Sequence, residues 1–151
     1  MAVRDDPYGA FNFIVNLDTG GAGMDAGFSD VSGLGNEVKF SEYRNGSDLQ
    51  NHVRKIPNVN STDDVTLKRG LIGDPVALFG WLKSTREGDI DKRTVTITLL
   101  DERRTAVCQW VLEAAQPKKW VGPSLTAKGG GEVAMEELHL VAESVEFKPT
   151  P

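Results

Sequence analysis

The side chains able to act as nucleophile, general base or metal ligand in this chain are Cys108, His52, His139 and two crowds of carboxylates. A thiolate or a histidine-activated hydroxyl could carry acyl transfer, with nucleophile and base in hydrogen-bond reach. The strained G-x-S-x-G turn that often presents such a serine is absent. Cys108 falls mid-strand on the face of Trp110, the setting of a small core residue rather than an activated thiol. His52 sits in a polar loop, and His139 is a solvent- or interface-facing residue of the last strand. With one cysteine there is no internal disulfide and no cysteine-cluster metal site, and two histidines add no transition-metal set. Paired carboxylates can do acid–base work. Glu132, Glu136, Glu137, Glu143 and Glu146 crowd the last strand, and Asp63 and Asp64 precede a strand ending in Lys68-Arg69; both groups read as solvated faces. Gly21-Ala22-Gly23-Met24-Asp25-Ala26 matches G-x-G-x-x-A, but a dinucleotide site needs a helix next to hold the pyrophosphate. Gly27, Phe28, Ser29 and Asp30 follow instead, so the segment reads as a flexible loop. Asn45-Gly46-Ser47 and Asn60-Ser61-Thr62 are glycosylation sequons that read as coincidences. No catalytic residue, cofactor or metal is expected, and the chain is read as not an enzyme.

The elements that must position these residues are those of one domain, since 151 residues leave no room for two full-sized ones. Apolar residues at 39% and charged residues at 26% suffice for a core. Lys+Arg of 17 against Asp+Glu of 22 gives 17 − 22 = −5, a poor charge for gripping nucleic acid by its phosphates. No run approaches a membrane span, and Met1 to Asp6 carries mixed charge without an apolar stretch, so synthesis and assembly in the cytoplasm are expected.

Residues 11–17 place Phe11, Phe13, Val15 and Leu17 on one face at period two, a strand signature. Residues 28–32 and 37–43 read as short strands divided by Gly33 and Gly35. Over residues 44–63 the periodicity vanishes: the run is polar, holds Pro57 and four asparagines, and is longer than compact domains leave without a task. Val65 and Leu67 restart a strand. Asp74 as cap, Pro75 at the first helical position and Gly88 as stop predict a helix over 74–88. Its apolar stripe is Leu78, Trp81, Leu82 and Thr85, with Lys83, Arg86 and Glu87 toward water. Residues 94–100 and 106–114 form a hairpin, Val95, Ile97 and Leu99 on one face of the first strand and Ala106, Cys108, Trp110 and Leu112 sharing a face of the second. The last strand, 132–147, slips phase: Val133 and Met135 are odd, Leu138, Leu140 and Ala142 even, Val145 and Phe147 odd again, which suggests bulges or two buried faces. Six to seven strands, one helix and no βαβ alternation predict an antiparallel β-barrel or sandwich with a flanking helix and a long extended loop.

The ordered set of signals resembles a known family. DPYGAFNFIVNL (6–17), FSDVSGL (28–34), DVTLKRGL (64–71), LFGWL (78–82), the W-x-L-x-x-A-x-P run of 110–117 and KKWVGPSLTAKGGGEVAMEELHLVAESVEF (118–147) are similar to the phage tail tube family. They look most like inner-tube proteins of contractile tails and contractile injection systems, over nearly the whole chain. The resemblance implies hexameric rings that stack into a hollow tube, pushed through a target envelope by sheath contraction and carrying DNA or protein effectors. It implies as partners other copies of the chain, a sheath protein, baseplate or spike and tube-cap proteins, and a ruler protein, and it places the chain in a virion tail or a released extracellular particle. Residues 42–63 take the position of the family's long inter-subunit loop. On that basis Glu42, Arg44, Asn45, Leu49, His52, Arg54, Ile56, Asp63, Lys68 and Arg69 are expected at subunit joints, with Lys68 or Arg69 pairing to loop acids. Glu136, Glu137 and Glu143 are expected to face the lumen. The alternatives are the ring-forming tube protein of a membrane-anchored type VI-like secretion system, a monomeric small-ligand-binding β-barrel, and a hydrolase dependent on His52 or His139.

Overall fold

Alternation of buried and more open residues marks the core-forming strands of the computed structural model, which describes residues 5–18, 23–47, 53–71, 75–129 and 133–150. Strand β1 (Phe13–Asp18) buries Val15 and Leu17 completely. Phe11, expected on the same face, stays largely exposed ahead of the strand. Strand β2 (Gly23–Ala26) pairs antiparallel with β1, from Val15↔Ala26 to Asp18↔Gly23. The glycine-rich segment read as a flexible loop therefore contributes a strand. Its glycines hid that strand by leaving few side chains to show a period.

Strands β3 (Asp30–Ser32), β4 (Asn36–Tyr43), β5 (Arg54–Thr62) and β6 (Val65–Gly70) follow. Helix α1 (Ala77–Arg86) then leads to β7 (Arg93–Leu100) and the 16-residue β8 (Ala106–Val121). The chain ends in β9 (Met135–Val141) and β10 (Ser144–Pro149). All pairings are antiparallel, in the order β2-β1-β7-β8-β9-β6-β3, with β10 added to β8 and a separate two-stranded ribbon β4-β5.

The phase slip in the last strand marks a change of neighbours. Strand β9 lies along the C-terminal half of β8 (Gln116↔Val141 to Val121↔Glu137), and β10 along the N-terminal half (Cys108↔Pro149 to Glu113↔Ser144). Between them the Glu143 N–H donates to the Glu113 carbonyl at 3.0 Å, and Ala114 takes a φ of 53°. A left-handed alanine costs about 1 kcal/mol, and here it is the bend that carries β8 from one set of strands to the other. One long strand over 132–147 thus becomes two.

The two sets enclose one core: Val15 and Leu17 from β1, Val65 and Leu67 from β6, Val95 and Ile97 from β7, Leu112 and Ala115 from β8, Leu138 and Leu140 from β9. Each fully buried leucine or isoleucine stabilises by about 1.5–3 kcal/mol. Leu78 and Trp81 close the core from the helix. Phe79 packs on Trp120 with ring centroids 5.2 Å apart, and the Trp81 indole N–H donates to the Asp91 carbonyl at 2.8 Å. The expected antiparallel sheet architecture with a flanking helix is the one observed. The helix begins later than expected: Val76 is the N-cap and makes no side-chain cap bond, so Pro75 precedes the helix, and Asp74 lies outside the described residues. Gly88, with a φ of 90°, ends the last turn as expected.

Candidate assembly interface

Residues 42–63 are not a structureless loop. Strands β4 and β5 pair over Asn36↔Thr62, Glu37↔Ser61 and Val38↔Asn60, then, beyond a bulge, from Phe40↔Pro57 to Tyr43↔Arg54. Pro57, which cannot donate to a ladder, pairs with Phe40 at the edge of this bulge, a place to which proline is confined in sheets. Paired residues point the same way, so Phe40 and Pro57 share one face, and Ile56 and Tyr43 lie toward the other. Both faces are therefore partly apolar, and both are open: Phe40 is 58% and Val59 63% exposed, with Val38, Tyr43 and Ile56 also exposed. An isolated two-stranded ribbon is marginally stable in water, and an apolar patch that monomers rarely expose marks a contact surface.

The ribbon is held at its root. The Thr62 hydroxyl donates to the Ala142 carbonyl at 3.1 Å, and the Asp63 N–H to the Gly35 carbonyl at 3.1 Å. Gly33 has a φ of 85°, and a Cβ there would collide with the Asp64 carbonyl. A Cβ on Gly35 would collide with the Asp63 carboxylate. Lys118 Nζ reaches Asp64 Oδ2 at 2.6 Å, fastening the root to β8.

Of the residues expected at joints, Glu42 lies in β4 and pairs with Lys55 across the ribbon at 3.0 Å. Arg44 and Asn45 follow β4, while Arg54 and Ile56 lie in β5, and all four are exposed. Asp63 is at the root. Leu49 and His52 lie outside the described residues. Lys68 and Arg69 both pair within their own subunit, and for Arg69 burial excludes the expected pairing with loop acids. Lys68 meets Glu137 at 3.1 Å, and Arg69 Nε meets Glu136 Oε1 at 2.6 Å.

Arg69 is 5% exposed and Glu136 is fully buried. The Trp120 indole N–H donates to Glu136 Oε2 at 2.9 Å, and the Arg69 guanidinium lies 5.7 Å from the centre of the Phe28 ring. Among the described residues, Arg69 Nη2 has no hydrogen-bond partner. Glu136 was expected to face a lumen; its side chain points into the core side of β9 beside Leu138 and Leu140, so that expectation is corrected. Arg69 is likewise too enclosed to form a surface joint.

Glu137 and His139 occupy the opposite face of β9. His139 Nδ1 lies 3.1 Å from the Thr66 hydroxyl, and its Nε2 lies 3.4 Å from Glu137 Oε2. The hydrogen bond from Lys68, and more weakly His139, holds the Glu137 carboxyl below its ordinary value of 4.5 against a smaller opposing effect of desolvation. A lowered folded value means that Glu137 stabilises the fold above its unfolded pKa and loses that contribution as pH falls through the folded one. The melting-temperature gap between wild type and Glu137→Gln is therefore expected to be steady at neutral pH and to close below pH 4.5. A gap that persists in acid refutes this assignment. Glu143 is exposed and pairs with Lys92 at 3.0 Å. Partial burial raises the Cys108 thiol above its ordinary 9.0, opposite to what an activated nucleophile needs. Among the described residues, no cluster of three or more His, Cys, Asp or Glu is placed to hold a metal.

The model of the T4-like virus tail tube protein gp19 family matches residues 9–146. No curated protein sequence matches the chain. Among solved structures, a chain of the PVC extracellular contractile injection system sheath-tube complex in its extended state is 26% identical, with a TM-score of 0.82 over 97% of this chain and 94% of that one. A chain of the anti-feeding prophage baseplate, symmetrised 6-fold, is 23% identical with a TM-score of 0.82 over 95% and 97% of the two chains. Hcp1 from Flavobacterium johnsoniae shares the fold at 12% identity and a TM-score of 0.56, over 89% and 94%. With the family model spanning almost all of β1 to β10, this chain belongs to the T4-like virus tail tube protein family.

Proposed function

We propose that the chain is the subunit of the inner tube of a contractile injection particle or contractile tail, closing into hexameric rings that stack as a hollow conduit. The observation that carries this reading is the near full-length similarity, at a TM-score of 0.82, to a chain of a contractile sheath-tube complex. A ring of heterologous contacts closes by rotation, and stacked rings continue without limit. The β4–β5 ribbon supplies the joint: Val38, Phe40, Tyr43, Ile56 and Val59 bury against a neighbouring copy, with Glu42, Arg44, Asn45, Arg54 and Asp63 around them; Leu49 and His52, outside the described residues, are assigned to the same joint from the sequence alone. Lys68 lies near the joint, while Glu137 and Glu143 take the lumen positions. Sheath, baseplate or spike and cap proteins are the partners, consistent with similarity to chains of a sheath-tube complex, a baseplate and a tube-terminating cap. A ruler protein, and DNA or protein effectors as cargo, complete the particle. The chain is made in the cytoplasm and acts from the released particle as a structural part with no catalytic step of its own.

The shared fold with Hcp1 supports a second reading, a ring of a membrane-anchored secretion system. Negative-stain electron microscopy of purified protein, with and without a baseplate, tests both. Stacked hollow tubes are expected. Separable rings that never stack favour the second reading, and protein that stays monomeric on an added baseplate overturns both.

A further inference from the structure

Asn45 is the one asparagine in the chain followed by glycine. It stands just past β4, and Asn45, Gly46 and Ser47 are all exposed. Among the described residues, a Cβ built on Gly46 would meet nothing within 4 Å. The Ser47 backbone N–H donates to Asn45 Oδ1 at 3.4 Å. That Asx turn curls the side-chain amide back toward the Gly46 peptide nitrogen. It also puts a donor on the oxygen where negative charge develops when the amide carbon is attacked. Asn58 differs from it in backbone setting: it lies within β5, and β-branched Val59 follows it.

We propose that Asn45 is a self-modifying site that limits the assembly lifetime of free subunits. The Gly46 nitrogen attacks Asn45 Cγ, forming an N–C bond. The Cγ–NH2 bond breaks, and ammonia departs with the proton given up by the Gly46 nitrogen. Water then opens the cyclic imide at either carbonyl, giving aspartate or isoaspartate. Both products add a negative charge beside Arg44, and isoaspartate also lengthens the main chain by one carbon. The regulatory consequence rests on the ribbon being the subunit joint: free subunits age out of competence, whereas those in a tube hold Asn45 in a fixed backbone geometry that prevents attack.

The test incubates purified wild-type protein in mildly alkaline buffer and maps its peptides by mass spectrometry over time. The Asn45 peptide is expected to gain the amide-to-acid mass change and split into two isomers while the Asn58 peptide stays intact. Gly46→Ala, which restricts the backbone, is expected to slow conversion about tenfold without changing the melting temperature. An Asn45 as long-lived as Asn58 overturns the site. For the regulatory role, tube yield is compared for fresh wild type, aged wild type and Asn45→Asp. Aged and Asn45→Asp protein are expected to lose most of their tubes; Asn45→Asp that assembles like fresh wild type overturns the role. Fresh wild type that never assembles overturns the tube reading and the regulatory role together, and peptide mapping still decides the chemistry.

Discussion

A variant with residues 39–59 replaced by a short Gly-Ser turn is expected to fold as the wild type does and to form no tubes. None of the described residues among them belongs to the core, and Val38 and Asn60 are register partners in the ribbon. Their side chains stand about 5 Å apart, so a short turn closes the gap without strain. The buried core that carries the stability is left intact, so the melting temperature should stay close to that of wild type. Assembly is different, because the exposed apolar residues at 40, 43, 53, 56 and 59 are removed with the segment. Phe40→Ala or Tyr43→Ala alone should weaken each joint by about 2 kcal/mol, the scale of a central aromatic anchor. That corresponds to roughly thirtyfold in affinity per contact. Sedimentation and electron microscopy read the outcome, and wild-type tubes from the shortened chain would remove the ribbon from the joint.

The second large effect concerns the ion pair inside the subunit. Glu136→Gln leaves the Arg69 guanidinium buried without its counter-charge, with Nη2 already unpartnered among the described residues. Breaking a buried pair on one side costs about 3–5 kcal/mol, against a typical domain stability of about 5–15 kcal/mol. The double change Arg69→Met with Glu136→Leu removes both charges and keeps the volume. It leaves the Trp120 indole N–H without its acceptor, at about 1–3 kcal/mol, and is therefore expected to be more stable than Glu136→Gln while staying at or somewhat below wild type. Urea unfolding of the three proteins distinguishes these cases. A single variant as stable as wild type would mean the pair contributes little beyond packing.

The burial of that pair was legible in the amino-acid order and was passed over. Glu136 shares its parity with Leu138 and Leu140, and Arg69 shares its with Val65 and Leu67, so both had to fall on the inward faces of β9 and β6. Counting acids along the strand obscured the alternation. The β7–β8 hairpin and the helix stripe were readable because each has one wet and one dry face, which imprints a period. Strand β4 is legible as the short strand over 37–43, but β5 has no dry face within its own subunit, so its residues carry no period, and Pro57 argues further against a strand. The ribbon's exposed Phe40, Tyr43 and Val59, which the proposed joint uses, are absent from the residues expected there from the sequence. The available signal was aromatic and β-branched residues in an otherwise polar run. The broken phase at 142–143 was visible, but only the pairing of β9 and β10 with different halves of β8 gives it meaning.

That shared strand has a mechanical consequence. Strand β8 hydrogen-bonds to β7, β9 and β10 across its 16 residues, so neither set of strands can open without tearing bonds from the segment that also anchors the other. Local opening would then cost close to the full unfolding free energy on both sides of Ala114. A push transmitted into β10 is spread along β8 to β7 and, past the bend, to β9. The domain answers an axial blow as one stiff body and yields, if at all, at the root of its ribbon.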